Sequence, residues 1–307
     1  MNRIHFLRGC WLDMILVESN GLFAMIDTGI EESQDQIMAY LDGLGVKRLE
    51  FILITHFHRD HYGSLPALLE KYPVGKVYMK DFSGLNIADS AGKPADRAYN
   101  LDELRKCAEM CAKAREVSEL IMISPEADHA SFGDFDFRVL GTTNAIREMY
   151  DDPESPYHGQ VCFGENINST ALFAEVNGTT VYLGGDAVNS DLDYPKYTRQ
   201  NDRYAREVGK PIDLYKVPHH CCGNLFTEEG LSILKPHFCV VTNAKRAVNG
   251  PFSANRDLLL ASNPDAQILC TDLCGYVFTL GPNGSLSYEE IDPWPKDVDL
   301  PFWLREE

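Results

Sequence analysis

The sequence predicts an α/β chain folded as a four-layer αββα sandwich, two β-rich halves with helices outside. Three observations lead there. Strand-like and helix-like segments alternate through both halves, no internal repeat or low-complexity tract interrupts them, and a histidine-rich stretch follows directly on a buried apolar run. A chain of 307 residues can bury a sizeable core. The expectation is one domain over residues 1–307, with an insertion around 83–118.

Each element has its own reason. Residues 4–8, 12–18 and 22–27 alternate or run apolar, and Ser19-Asn20-Gly21 reads as a hairpin turn. Residues 31–44 carry apolar side chains near helical spacing and stop at Gly45, a C-cap glycine. Residues 48–54 form a buried strand, 65–72 a short helix and 76–79 the next strand. Residues 83–100 are rich in Gly, Ala, Ser, Asp and Pro and read as an insertion or flap. Residues 101–117 then read as a helix with Cys107 and Cys111 one turn apart, a half-buried face rather than a redox pair. The alternation over 134–140 is a strand. Residues 171–175 and 179–183 form a hairpin around Asn177-Gly178, and 213–218 is a buried strand. Residues 267–270, 276–280 and 286–291 complete the second sheet. The tail around Trp294 and Trp303 is expected to pack across a core edge or to make a homodimer contact.

Composition narrows the function. Against 28 Lys and Arg stand 46 Asp and Glu, a net charge of −18. Such a surface repels nucleic acid, and Lys210, Lys216, Lys245 and Arg246 are scattered rather than striped. A small-molecule partner is favoured over a polynucleotide. No apolar stretch approaches bilayer length, so no membrane partner is expected. Nine cysteines without regular spacing fit reduced thiols, and cytoplasm is the expected location.

The chemistry concentrates in Ile54-Thr55-His56-Phe57-His58-Arg59-Asp60-His61. On an extended strand end, His56 and His58 share a face. Asp60 and His61 can curl back from the turn, so four donors can surround two ions. Imidazole suits Zn, Fe and Mn, and a carboxylate adds a hard ligand.

His-x-His-x-Asp-His resembles the signature of the metallo-β-lactamase superfamily, and other motifs follow in order. Asp27-Thr28-Gly29 resembles its early Asp-x-Gly, Gly184-Gly185-Asp186 its Gly-Asp, and Asn166-Ile167-Asn168-Ser169 an Asn-x-Ser strand opening. Val217-Pro218-His219-His220 looks like the Pro-His-His of the ComEC-type and phosphorylcholine-esterase-like branch. The resemblance covers roughly residues 3–290 and implies the metallo-β-lactamase fold. It also implies two divalent metal ions, Zn first with Mn or Fe as alternatives, held by His56, His58, Asp60, His61, Asp186 and His220. Asp27 would orient the histidine loop, and Asp186 would touch both ions. Asp60 and His219 are the expected catalytic pair, with the opposite assignment of His219 and His220 left open. His158, Asn168 and Cys221 are candidate substrate contacts.

Departures from the branch are visible. Cys221-Cys222 stands where Gly-Ser usually follows the histidine pair, and Asn249-Gly250-Pro251-Phe252-Ser253 replaces a late His-Pro-Ser. No histidine follows the strand ending Val139-Leu140-Gly141-Thr142. His5, His129 and His237 read as structural.

Two divalent ions lower the pKa of bound water and polarise a phosphoryl or carbonyl oxygen. The expected activity is therefore metal-dependent hydrolysis of a small phosphoester or phosphodiester. Hydrolysis of a thioester or lactone would use the same ions beside a more apolar pocket. A non-catalytic metal-bound sensor or scaffold is the reading from a different class.

Overall fold

Strands whose residues are apolar at every position need cover on both faces, and the chain supplies it by stacking two sheets between two helical layers. The computed structural model describes residues 1–82, 97–159, 164–189 and 199–292, with side chains of 97–100 excepted. The Gly-, Ala- and Ser-rich part of the expected insertion and the tryptophan-bearing tail lie outside the described residues.

The first half builds β1 (Asn2–Phe6), β2 (Met14–Ser19), β3 (Leu22–Thr28), β4 (Leu49–Leu53), β5 (Val74–Met79) and β6 (Glu119–Met122). The second builds β7 (His129–Phe132), β8 (Phe135–Leu140), β9 (Ala171–Val176), β10 (Thr179–Gly184), β11 (Leu214–Lys216), β12 (Phe238–Val241) and β13 (Gln267–Cys270). The chain then returns to the first sheet with β14 (Gly275–Leu280) and β15 (Leu286–Ile291). Spatial order is β15-β14-β1-β2-β3-β4-β5-β6 in one sheet and β13-β12-β11-β10-β9-β8-β7 in the other. β3 to β6 run parallel, as do β10 to β13. The remaining pairings are antiparallel, and two of the two-residue hairpins use an Asn-Gly turn with positive φ at each residue: Asn20-Gly21 and Asn177-Gly178.

Alternation sorts the side chains into three apolar layers. Ile15, Val17, Ile26, Phe51 and Leu53 meet Phe137, Val139, Leu172, Val181 and Leu183 between the sheets. Their neighbours Met14, Leu16, Met25 and Ile52 face outward onto α1 (Gln34–Gly43), α3 (Leu65–Lys71) and α4 (Arg97–Val117), with the four-residue α2 (Arg59–Tyr62) among them. Tyr182, Tyr215, Cys239 and Val241 face the opposite helical layer. Cys107 and Cys111 are both buried in the α4 contact, as a half-buried helix face requires. The eight cysteines among the described residues are free thiols. Among the described residues no helix is long and apolar enough to cross a membrane.

Candidate metal centre

The carboxyl ends of β3, β4, β10 and β11 meet at one edge of the stacked sheets, where α/β folds commonly place their sites. One residue before the end of β3, Asp27 lies in the left-handed region at φ 55°, and Gly29, just past the strand, lies there too at φ 63°. A Cβ on Gly29 would lie 2.7 Å from Met14 Cγ and from Ser33 Oγ, so glycine is required there. The turn aims the Asp27 carboxylate inward. It accepts from Thr55 N (2.8 Å), Thr55 Oγ1 (2.8 Å) and His61 Nδ1 (2.7 Å). A buried carboxylate with three donors locks the loop after β4 against the end of β3.

That loop carries the histidines. His56 Nε2 and His58 Nδ1 stand 3.0 Å apart, both from the bend that follows β4. α2 then turns the chain back, so that Asp60 and His61 face the same space. With His61 Nδ1 spent on Asp27, Nε2 points at Asp186 Oδ2 (3.3 Å) and Asp60 Oδ2 (3.5 Å). Asp186 follows the end of β10. Its N–H donates to Ser169 Oγ (2.7 Å), and Gly185 leaves room for Thr55 and Ser169 beside it.

His219 and His220 arrive differently from expectation. β11 ends at Lys216 rather than at Pro218, and the histidines sit in a tight turn, Pro218–Cys221. His219, His220 and Cys221 are successive left-handed residues at φ 46°, 49° and 67°. Each such residue costs roughly 1–2 kcal/mol, so the turn must be held from outside. Asn243 Nδ2 donates to His220 O, and Asn255 Nδ2 to Cys221 O and Gly223 O, each at 2.9 Å. This turn separates the two imidazoles. His220 Nε2 reaches Asp60 Oδ2 (3.3 Å) and Asp186 Oδ2 (3.5 Å), while its Nδ1 is 2.9 Å from Thr242 Oγ1. His219 Nε2 instead meets Asn166 Nδ2 at 3.0 Å.

Two donor groups meet at Asp186 and share it. Asp60, His61, Asp186 and His220 offer ligand atoms within 4.8 Å of one another, and so do His56, His58 and Asp186. His61 Nε2 and Asp186 Oδ1 are buried without a hydrogen-bond partner, which a cation would supply. Four imidazoles and two carboxylates fit divalent Zn, Mn or Fe. The protein's own electrostatics anticipate that charge. Burial alone would lower His61 and His220, but Asp186 with Asp27 holds His61 well above its usual range, and Asp186 with Asp13 holds His220 up at about 9. Burial alone would raise Asp60 and Asp186, yet the same histidines keep both well below the carboxylate range. His56, buried beside His61 and His58, is driven well below its ordinary value.

Three candidate substrate contacts, Asn168, Cys221 and His158, belong to neither of these donor groups. Asn168 is 1% exposed, with Nδ2 on Glu165 Oε1 (3.1 Å) and Oδ1 accepting from Ile146 N (3.3 Å), so it holds a turn together. Asn166, two residues earlier, is the one that touches His219. Cys221 is fully buried in the apolar layer with Leu225 and Cys239, where burial pushes its thiol up to about 12. His158 is an exposed loop residue that joins neither donor group.

Other members had no site role assigned from sequence. Asp13, Thr242 and Lys216 are at most 2% exposed behind the centre, and Ser169 and Asn166 brace Asp186 and His219. Asp13 and Lys216 left one usable trace, a charge embedded in an apolar run. At the rim, Trp11 is 44% exposed, with its ring 5.9 Å from His220 and 5.5 Å from Phe252.

Residues 13–166 match the family model of the Metallo-beta-lactamase superfamily, and the chain belongs to that superfamily. Its members are mostly metal-dependent hydrolases. The metallo-beta-lactamase fold protein YhfI from Bacillus subtilis has the same fold. It superposes with a TM-score of 0.50 at 13% identity, covering 94% of this chain and all of that one. Among curated proteins, the chain is 38% identical over 66 residues to Uncharacterized protein YobT of Bacillus subtilis, 22% of this chain and 28% of that protein. It is 23% identical over 207 residues to Endoribonuclease ysh1 of Aspergillus fumigatus, 65% of this chain and 20% of that protein. The chain thus spans less than a third of the length of either relative.

Proposed function

We propose that this chain is a metal-dependent hydrolase of a small phosphoester, a phosphodiester above all, working at a centre of two divalent ions. The observation that carries the reading is Asp186, a carboxylate common to both donor groups. A shared carboxylate between two imidazole sets is what a dinuclear centre needs. Zn is the first choice of metal, with Mn or Fe as alternatives. Bound ions would supply activated water and Lewis-acid polarisation of the ester.

The chain's own residues do the rest. Asp27 fixes the tautomer of His61, and Thr242 that of His220, so both turn Nε2 lone pairs inward. Asp60, with a side chain 27% exposed, stands on the open side, where it can orient a water by accepting its hydrogen bond. With Asn166 Nδ2 donating to His219 Nε2, the ring hydrogen sits on Nδ1, which has no hydrogen-bond partner. That N–H is free to donate to a phosphoryl oxygen as charge grows on it.

Likeness to an endoribonuclease, a cleaver of phosphodiesters, supports this bond type over a thioester or lactone. The net charge of −18 argues for a small substrate rather than a polynucleotide. The His219-His220 pair supports the ComEC-type and phosphorylcholine-esterase-like branch, and free thiols suit the cytoplasm.

The test is elemental analysis of purified protein alongside hydrolysis of bis-p-nitrophenyl phosphate and a thioester, before and after chelation. Two metals per chain with chelator-sensitive phosphodiester cleavage supports the proposal. One metal or fewer, with no cleavage after Zn or Mn is restored, overturns it in favour of a non-catalytic site.

A further inference from the structure

Lys216 is an unusual neighbour for a cation site. It is the last residue of β11, fully buried, and its Nζ forms an ion pair with Asp13 Oδ2. The same ammonium lies 3.2 Å from Gly185 O and 3.9 Å from Asp186 Oδ1. Asp13, just before β2, is equally buried. Asp13 Oδ1 accepts from Thr242 Oγ1 at 2.6 Å, and that hydroxyl in turn meets His220 Nδ1. The pair therefore bridges the two sheets and touches both the shared carboxylate and the support of His220. Asp13 Oδ2 and Asp186 Oδ1 are buried oxygens with no other hydrogen bond, and Lys216 Nζ pairs with the first and lies 3.9 Å from the second.

Asp13 also belongs to a third donor group, with Asp27 and His61, whose ligand atoms lie within 4.8 Å. A divalent ion there would take Asp27 and His61 away from their orienting work. A buried ammonium already answers that charge, and it cannot be chelated or lost. We propose that Lys216 is the internal counter-ion of the metal centre: it keeps Asp13 out of the coordination shell, so that Asp13 positions His220 through Thr242 and the third group stays closed to metal. Lys216 and Asp13 are thus positioning residues. This inference rests on the dinuclear reading proposed above.

Lys216→Met separates this role from mere packing. Without the ammonium, Asp13 becomes a buried, unpaired charge that a divalent ion can satisfy. The metal-free variant should melt roughly 10 °C lower than wild type. Loading with Co(II) should recover most of that loss, so the metal-induced rise in Tm exceeds the wild-type rise. Co(II) bound per chain should rise above the wild-type ratio, with a changed visible absorption spectrum. Asp13→Asn/Lys216→Met removes both charges and should return stoichiometry and spectrum to wild type. If Lys216→Met does not fold, the double variant decides alone: folding with the wild-type Co(II) ratio supports a counter-ion, and failure to fold overturns it. Equal Tm losses with and without metal, at an unchanged Co(II) ratio, would also overturn it. Wild-type protein that binds no Co(II) fails a different claim, the dinuclear reading itself.

Discussion

Asp27→Asn exchanges one oxygen for an NH2 group, and the structure says what should follow. Asp27 Oδ1 accepts from Thr55 N, and Oδ2 accepts from both Thr55 Oγ1 and His61 Nδ1. An asparagine keeps its oxygen on Thr55 N and turns its NH2 toward the other two. Thr55 can rotate its hydroxyl to accept instead. His61 can satisfy the new donor only by moving its ring hydrogen from Nδ1 to Nε2. That hydrogen then points at Asp60 and Asp186, where the lone pair is needed. Losing one hydrogen bond to a charged group costs folding about 1.5–3 kcal/mol. The tautomer change should weaken metal binding about 10–100-fold, or about 1.4–2.8 kcal/mol. Competition with a chromophoric chelator measures affinity, and thermal unfolding of the metal-free protein measures the fold. Wild-type affinity in the folded variant would refute the reasoning, because His61 would not be held as a ligand by Asp27.

Other outcomes follow from the same geometry. His219→Ala should keep both metals and lose turnover by about 10²–10⁴-fold; a protein that loses metal instead would make His219 a ligand. Metal uptake at neutral pH should release protons, because His220, held up at about 9, and His61 carry them in the metal-free protein. Affinity should therefore rise with pH toward about 9, while the metal-free fold loses the histidine contribution as pH climbs from 6.5 through 9, the sign expected for raised pKa values. Calorimetry in buffers of different ionisation enthalpy counts those protons, and zero release at pH 7 would contradict the assignment. Lys80 Nζ donates to Gly141 O (2.8 Å), Thr143 O (2.6 Å) and Asn168 O (2.6 Å). Lys80→Met strands Asn168 O, which is buried, at about 1–3 kcal/mol, and removes the donor from the half-buried Gly141 O and Thr143 O; an unchanged Tm would deny their dependence on the ammonium.

Much of the fold was legible because the chain writes its strands plainly. Asn20-Gly21 and Asn177-Gly178 mark two hairpins, and most expected strands and helices fall within a few residues of those observed. The elements that sequence reading passed over break its assumptions. The helix Gln200–Val208 opens with Gln200, Asn201 and Asp202, which look like a solvated face. All three are buried, and Asn201 Nδ2 ties down Ala187 O (2.8 Å) and Leu225 O (2.9 Å). β12 is four apolar residues between loops, too short for periodicity to separate strand from helix. At the site, the ligands were legible because four of them crowd into six positions. Asp13 and Thr242 were not, since 229 positions separate them and only the closure of the two sheets joins them.

The departure at Cys221 shows how a motif and its physics can part. In the resembling branch a Gly-Ser follows the histidine pair, and the structure gives a reason for glycine there. The residue after His220 sits at φ 67°, where only glycine is unstrained. Cysteine accepts that conformation here and turns its side chain away from the donor groups, into the apolar layer that holds Leu225 and Cys239. The backbone is then held by Asn255, which donates to the carbonyls on either side of Cys222. Burial of the thiol offsets part of the strain, about 0.8 kcal/mol for each CH2-sized group removed from water. The histidine turn therefore keeps its shape without its glycine. The replacement alters the packing behind the centre, while the donor atoms of His220, Asp60 and Asp186 still converge in front of it.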